Sequence, residues 1–191
     1  MANLVLSALV LLLASGFRLQ EEKEKPAEPK PAAEEPAPVT TQHQIRLNGS
    51  VLPYKVETGR MPIRKDSGEV EGSIFYMAYT AESETERPLT FSFNGGPGSS
   101  SVWLHLGMLG PKRVPMLADG GMPAPPYRLV DNEYSWLDLT DIVFIDPVGT
   151  GFSRPATAEQ GKEFWGLEQD IRSVGEFIRL YLTRSGRWSS S

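Results

Sequence analysis

Residues 91–111 read FSFNGGPGSSSVWLHLGMLGP, a short apolar run, a glycine-rich turn and then a helix-like run. Gly95 and Gly96 permit backbone angles closed to other residues and leave no side chain over their N–H groups. Pro97 fixes its own φ and offers no donor. Ser99 to Ser101 are suited to cap a helix running through Val102, Trp103, Leu106 and Met108. The expected product is a rigid turn with amide hydrogens exposed beside a helix start, an arrangement suited to an anion or a developing oxyanion. Such a turn alone also serves as a plain strand-to-helix connection.

A second stretch changes the balance. DIVFIDPVGTGFSRP, residues 141–155, is again a short apolar run followed by a glycine-rich turn. Its strand, residues 141–146, is bounded by acidic residues and reads as buried on both faces, as in a sheet interior. Two glycine-rich turns after parallel strands lie at one sheet edge, where α/β proteins place their sites.

Outward from these motifs, Asn48-Gly49 in QIRLNGSVLPYKV is a hairpin signal between two β-prone runs. SIFYMAYTA (73–81) and PLTFSFN (88–94) predict further strands, joined by the charged turn ESETER. From Glu159 to Arg184, Phe164, Leu167, Ile171, Val174, Ile178 and Tyr181 recur at steps of three and four, predicting a helix with a core-facing stripe that Gly186 ends. The fold class expected is α/β, with antiparallel opening strands followed by parallel strands and flanking helices.

The chain has 191 residues and a net charge of −5, with no basic patch, so nucleic acid and anionic membrane surfaces are not expected partners. Cysteine is absent, which excludes disulfides, thiolate metal sites and a cysteine nucleophile within this sequence. His43 and His105 are the two histidines, too few for a histidine-rich metal site, and no cofactor is expected. Both are read as structural.

Residues 1–16, MANLVLSALVLLLASG, hold an apolar run of about a dozen residues followed by small ones, the pattern of a secretory signal, although no Lys or Arg precedes it. Cleavage is expected near Ala14 to Gly16, with export to the periplasm or exterior, free or tethered to the envelope; the other reading is an uncleaved anchor or a misplaced start. Residues 17–41 are Glu, Lys, Pro and Ala rich, predicting an extended disordered tether. The folded portion is expected over residues 42–191.

FSFNGGPGSSS, then LGMLGP, then YSWLDLTDIVFIDPVGTGFSRP together resemble, in order and spacing, the serine carboxypeptidase family of α/β-hydrolases. The match runs over roughly residues 70–188. The resemblance implies an α/β-hydrolase sheet and release of C-terminal residues from peptides through an acyl-enzyme. It implies that the Gly96 N–H is one oxyanion-hole donor, and that Asn94 and Gly95 help hold the C-terminal carboxylate of a peptide substrate.

Two departures accompany it. The family carries a glutamic acid, acting as a protonated donor to that carboxylate, at the position of Met108, which can donate nothing. The family's nucleophile sits in a Gly-x-Ser-x-Gly elbow followed by Asp and then His, and the sequence has no such elbow. The triad Ser, Asp and His are therefore absent by family order, and LTRSGRWSSS resembles the helix end that comes shortly before the elbow strand. The expectation is the N-terminal portion of a serine carboxypeptidase, inactive as this chain alone. Other readings are an acyltransferase or another α/β-hydrolase on the same scaffold, or a non-catalytic exported binding module whose glycine turn holds an anion.

Overall fold

Asn48 (φ 50°) and Gly49 (φ 83°) both take left-handed backbone angles, closing the two-residue hairpin expected there. The turn joins β1 (Val39–Leu47) to β2 (Ser50–Arg64), which pair antiparallel from Leu47↔Ser50 out to Val39↔Thr58. The computed structural model describes residues 36–95 and 98–190. Residues 1–35, which hold the expected signal and most of the expected tether, lie outside the described residues. β1 starts at Val39, ahead of the expected onset at Gln42, because the long β2 offers backbone partners as far as Thr58.

Next come β3 (Val70–Ala81) and β4 (Leu89–Ser92), then α1 (Val102–Leu104), a single turn that runs into a π-helical turn at His105–Leu109. A two-stranded ribbon, β5 (Lys112–Arg113) with β6 (Val130–Asp131), precedes β7 (Asp141–Ile145) and β8 (Arg154–Pro155). A 3-10 turn at Gln160–Phe164 then leads to α2 (Leu167–Ser185).

The main sheet has the order β1-β2-β3-β7-β4, with β8 pairing β3. The pairs β1–β2, β2–β3 and β3–β7 are antiparallel, whereas β4 runs parallel to β7 from Leu89↔Asp141 to Ser92↔Phe144. The sheet is thus mixed, antiparallel at its start as expected, with one parallel pair among the described residues.

Alternation along the strands separates two cores. Ile74, Tyr76 and Ala78 of β3 and Val143 and Ile145 of β7 pack with Val174, Phe177 and Tyr181 of α2. The intervening Tyr79, Ala81, Ile142 and Phe144 face the opposite side, with Leu109 and Leu137. Every residue of β7 is buried, as its unbroken apolar run predicts.

The stripe read along the last helix holds at its two ends and fails between them. Phe164, Val174 and Tyr181 are buried and Ile178 packs against them, but Leu167 and Ile171 are 78% and 65% exposed. The helix starts at Leu167 rather than Glu159, so its first turns carry these two side chains clear of the sheet. Phe177, outside the expected stripe, is fully buried. Gly186 (φ 68°) ends the helix as expected, and the N–H groups of Gly186 and Arg187 both return to the Leu182 carbonyl.

Beyond that cap, Arg187 locks the chain to the sheet. Its Nη1 lies 2.9 Å from Asp141 Oδ2, while Arg87 Nε lies 3.0 Å from Asp141 Oδ1 and the Ala81 N–H donates to the same oxygen. Arg187 Nη2 also donates to the Arg87 carbonyl. Asp141 is 1% exposed, so removing its charge strands two partly buried guanidinium groups. Asp141→Ala is expected to destabilise the chain by about 3 kcal/mol or more in urea unfolding. A midpoint equal to wild type would show that the Arg87–Asp141–Arg187 cluster carries no stability.

Candidate active site

Because β4 and β7 are parallel neighbours, both chains leave the sheet at the same edge. There Asn94 and Gly95 of the first turn face Thr150 of the second across a cleft further lined by Ser99, Trp165 and Asp170. The Asn94 side chain is engaged within its own turn, its Nδ2 donating to Ser99 Oγ at 3.0 Å. Gly98 takes φ 108°, which only glycine adopts without strain. Gly96, the expected oxyanion donor, lies outside the described residues.

The expected serine cap is replaced by something else. Ser101 occupies the cap position before α1 but makes no side-chain cap bond. Its hydroxyl instead donates to the Ile145 carbonyl and lies 3.4 Å from the Ser92 carbonyl, so it ties together the ends of β7 and β4. The one-turn α1 demands little capping, while buried strand-end carbonyls need a donor.

Asp146 was not singled out by sequence reasoning. It follows β7 directly and is 7% exposed, and its carboxylate accepts from the N–H groups of Ser101 (2.9 Å) and Phe152 (3.1 Å), one from each turn. The signal available was its place at the junction of a buried strand and a glycine turn, where an acidic residue is costly unless hydrogen-bonded.

Met108 sits on the π-helical turn and is 58% exposed, outside the cleft lining. The widened turn leaves carbonyls to satisfy, and Asn132 Nδ2 donates to those of Met108 and Gly110, both at 2.8 Å, while Ser135 Oγ donates to that of Leu109. Neither histidine lines the cleft. His43 lies 2.8 Å from Thr41 Oγ1 and stacks on Tyr54. His105 stacks on Phe144, with centroids 4.5 Å apart, and its Nε2 is 2.5 Å from the Tyr79 hydroxyl. Burial pushes the His105 imidazole down to about 4 and raises the Tyr79 hydroxyl above its usual range. Among the described residues, no group of three or more His, Cys, Asp or Glu is placed to hold a metal ion. No helix among them is long and apolar enough to cross a membrane.

The sequence profile of the serine carboxypeptidase family matches residues 48–190, which takes in both turns and extends the resemblance back to the hairpin. The chain belongs to the serine carboxypeptidase family. It is 32% identical over 143 residues to Serine carboxypeptidase-like 5 of Arabidopsis thaliana, covering 73% of this chain and 31% of that protein. Serine-type carboxypeptidase F of Aspergillus niger is 34% identical over 161 residues, covering 72% of this chain and 28% of its own length. Pheromone-processing carboxypeptidase KEX1 of Saccharomyces cerevisiae is 34% identical over 137 residues, at 67% and 18% coverage. The chain thus spans less than a third of the length of these relatives.

In this family member the His105 ring braces the π-helical turn that carries Met108. Its folded-state value lies below the ordinary 6.5, so its contribution to stability is complete above about pH 6.5 and is lost as pH falls towards 4. Melting temperatures measured across that window should fall more steeply for wild type than for His105→Gln. Parallel curves would mean that the ring is not held neutral by burial.

Proposed function

We propose that this chain supplies one wall of a serine carboxypeptidase active site on an α/β-hydrolase sheet. The observation that carries the reading is the parallel pairing of β4 with β7, which brings both glycine-rich turns to one edge and one cleft. In the proposed reaction a serine hydroxyl attacks the C-terminal peptide carbonyl and the Gly96 N–H stabilises the oxyanion. The amino acid leaves and water then releases the acyl group. Asn94 and Gly95 hold the substrate carboxylate. Since no Gly-x-Ser-x-Gly occurs in the sequence, the nucleophile and its acid and base partners come from outside residues 1–191. Residues 42–191 alone then do not turn over. Residues 1–16 direct export, and residues 17–38, up to the start of β1, act as a spacer. Met108 favours a second reading, an acyltransferase on the same scaffold, because it offers no donor to a free carboxylate.

The test uses the enzyme that carries this chain together with its nucleophile. Gly96→Val should lower kcat about a hundredfold or more in a folded protein, because a β-branched side chain restricts the turn and tilts the N–H away. Asn94→Ala should mainly raise KM for free-acid peptides and spare peptide amides. Wild-type kcat in folded Gly96→Val would leave the turn as a turn and favour the anion-binding module. Ester transfer without peptide hydrolysis would favour the acyltransferase. Hydrolysis of blocked dipeptides by purified residues 42–191 would overturn the placing of the nucleophile.

A further inference from the structure

We infer that Asp146 is a positioning residue for the oxyanion turn, locking it to the second glycine turn through paired amide hydrogen bonds. The inference rests on the carboxypeptidase reading and adds a residue to it.

Asp146 is itself held rigidly. Its N–H donates to the Phe75 carbonyl of β3 at 3.0 Å, and its carbonyl accepts from Ser153 Oγ at 2.6 Å. That same Ser153 oxygen accepts the Phe75 N–H at 2.7 Å, and Ser153 is fully buried. The carboxylate therefore projects from a fixed backbone. Its Oδ1 takes the Ser101 N–H, at the downstream end of the first turn, and its Oδ2 takes the Phe152 N–H in the second. Charge-assisted bonds of this kind are about twice as strong as neutral ones.

Residue type matters at two positions. Both partners are N–H donors, and a carboxylate presents an acceptor at each oxygen. Asparagine would set its own N–H₂ against one of them, so it can close only half of the clamp. Gly151 takes φ 45°, and a Cβ there would lie 1.9 Å from Asp146 Oδ2 and 3.0 Å from Ser100 Cβ. The clamp therefore closes only over a bare backbone at residue 151.

The functional consequence follows from the span of the first turn. Its upstream end is fixed by β4 and by the Asn94–Ser99 hydrogen bond, and its downstream end by Asp146 and by the Ser101 hydroxyl. In sequence, Gly96 falls between these anchors. An oxyanion donor acts through preorganised direction, and a misplacement of about 1 Å at a reacting centre can cost about a hundredfold in rate. Released from Asp146, the turn keeps its residues but loses its fixed aim.

Two variants and two readouts test this. In the enzyme with its nucleophile, Asp146→Asn and Gly151→Ala should each lower kcat tenfold or more, with KM for a blocked dipeptide within about threefold of wild type. In the 191-residue chain, amide hydrogen exchange at Ser101 and Phe152 should quicken at least tenfold in both variants, while Val143 in β7 stays protected. Wild-type kcat in a folded Asp146→Asn enzyme would overturn the inference. So would loss of protection spreading through β7, since Asp146 would then support the sheet rather than the turns. An inactive wild-type enzyme counts against the carboxypeptidase reading instead. Exchange then decides the clamp alone, and unchanged Ser101 and Phe152 amides in Asp146→Asn would overturn it.

Discussion

The parallel pairing of β4 with β7 is the constraint on which the rest of the structure depends. Parallel neighbours point their C-terminal ends the same way, so the loops that follow them must meet. Were β4 antiparallel to β7, Asn94 and Thr150 would leave opposite edges of the sheet, and no cleft could form between their turns. The pairing also sets where polar groups are needed. A strand buried on both faces, as β7 is, tolerates charge only at its two ends, and there only with partners.

Both ends of β7 use an aspartate in that way. Asp141 opens the strand, where it gathers Arg87, Arg187 and the Ala81 N–H. Asp146 follows its end and gathers the Ser101 and Phe152 N–H groups. The first aspartate draws the chain beyond α2 back onto the sheet, and the second joins the two turns. The two acidic residues therefore do different work with the same chemistry, since an ionised carboxylate accepts at both oxygens and can bridge elements distant in sequence. Between them the four apolar residues Ile142 to Ile145 contribute to both cores, alternating sides as the pleat requires.

Much of this was legible in the sequence, and the exceptions have physical causes. Asn48-Gly49 specified its hairpin because few residue pairs accept two left-handed angles. Residues 141–146 announced a doubly buried strand through a short apolar run bounded by acidic residues. The turns around Asn94 and Gly149 were visible because glycine in such density has few other uses. By contrast, Leu167 and Ile171 fit the helical period yet stay exposed, because periodicity tells which side chains share a face and not how far the opposing sheet extends. Ser101 looked like a cap, but buried carbonyls of two strands claimed its hydroxyl. Asp146 read as a strand boundary, since its partners, Ser101 and Phe152, become neighbours only once β4 and β7 have paired. The π-helical turn under Met108 has no period of its own to read, and depends on Asn132 and Ser135 from a distant loop.

The central claim is that the two glycine turns form one oxyanion-binding edge. It is tested most directly by a crystal structure of the enzyme, carrying this chain and its nucleophile, with a peptide aldehyde bound covalently. The account predicts the hemiacetal oxygen about 3 Å from the Gly96 amide nitrogen, beside the cleft that Asn94, Gly95 and Thr150 line. A hemiacetal oxygen held by donors elsewhere, with the 94–101 turn making no contact to the ligand, would contradict it.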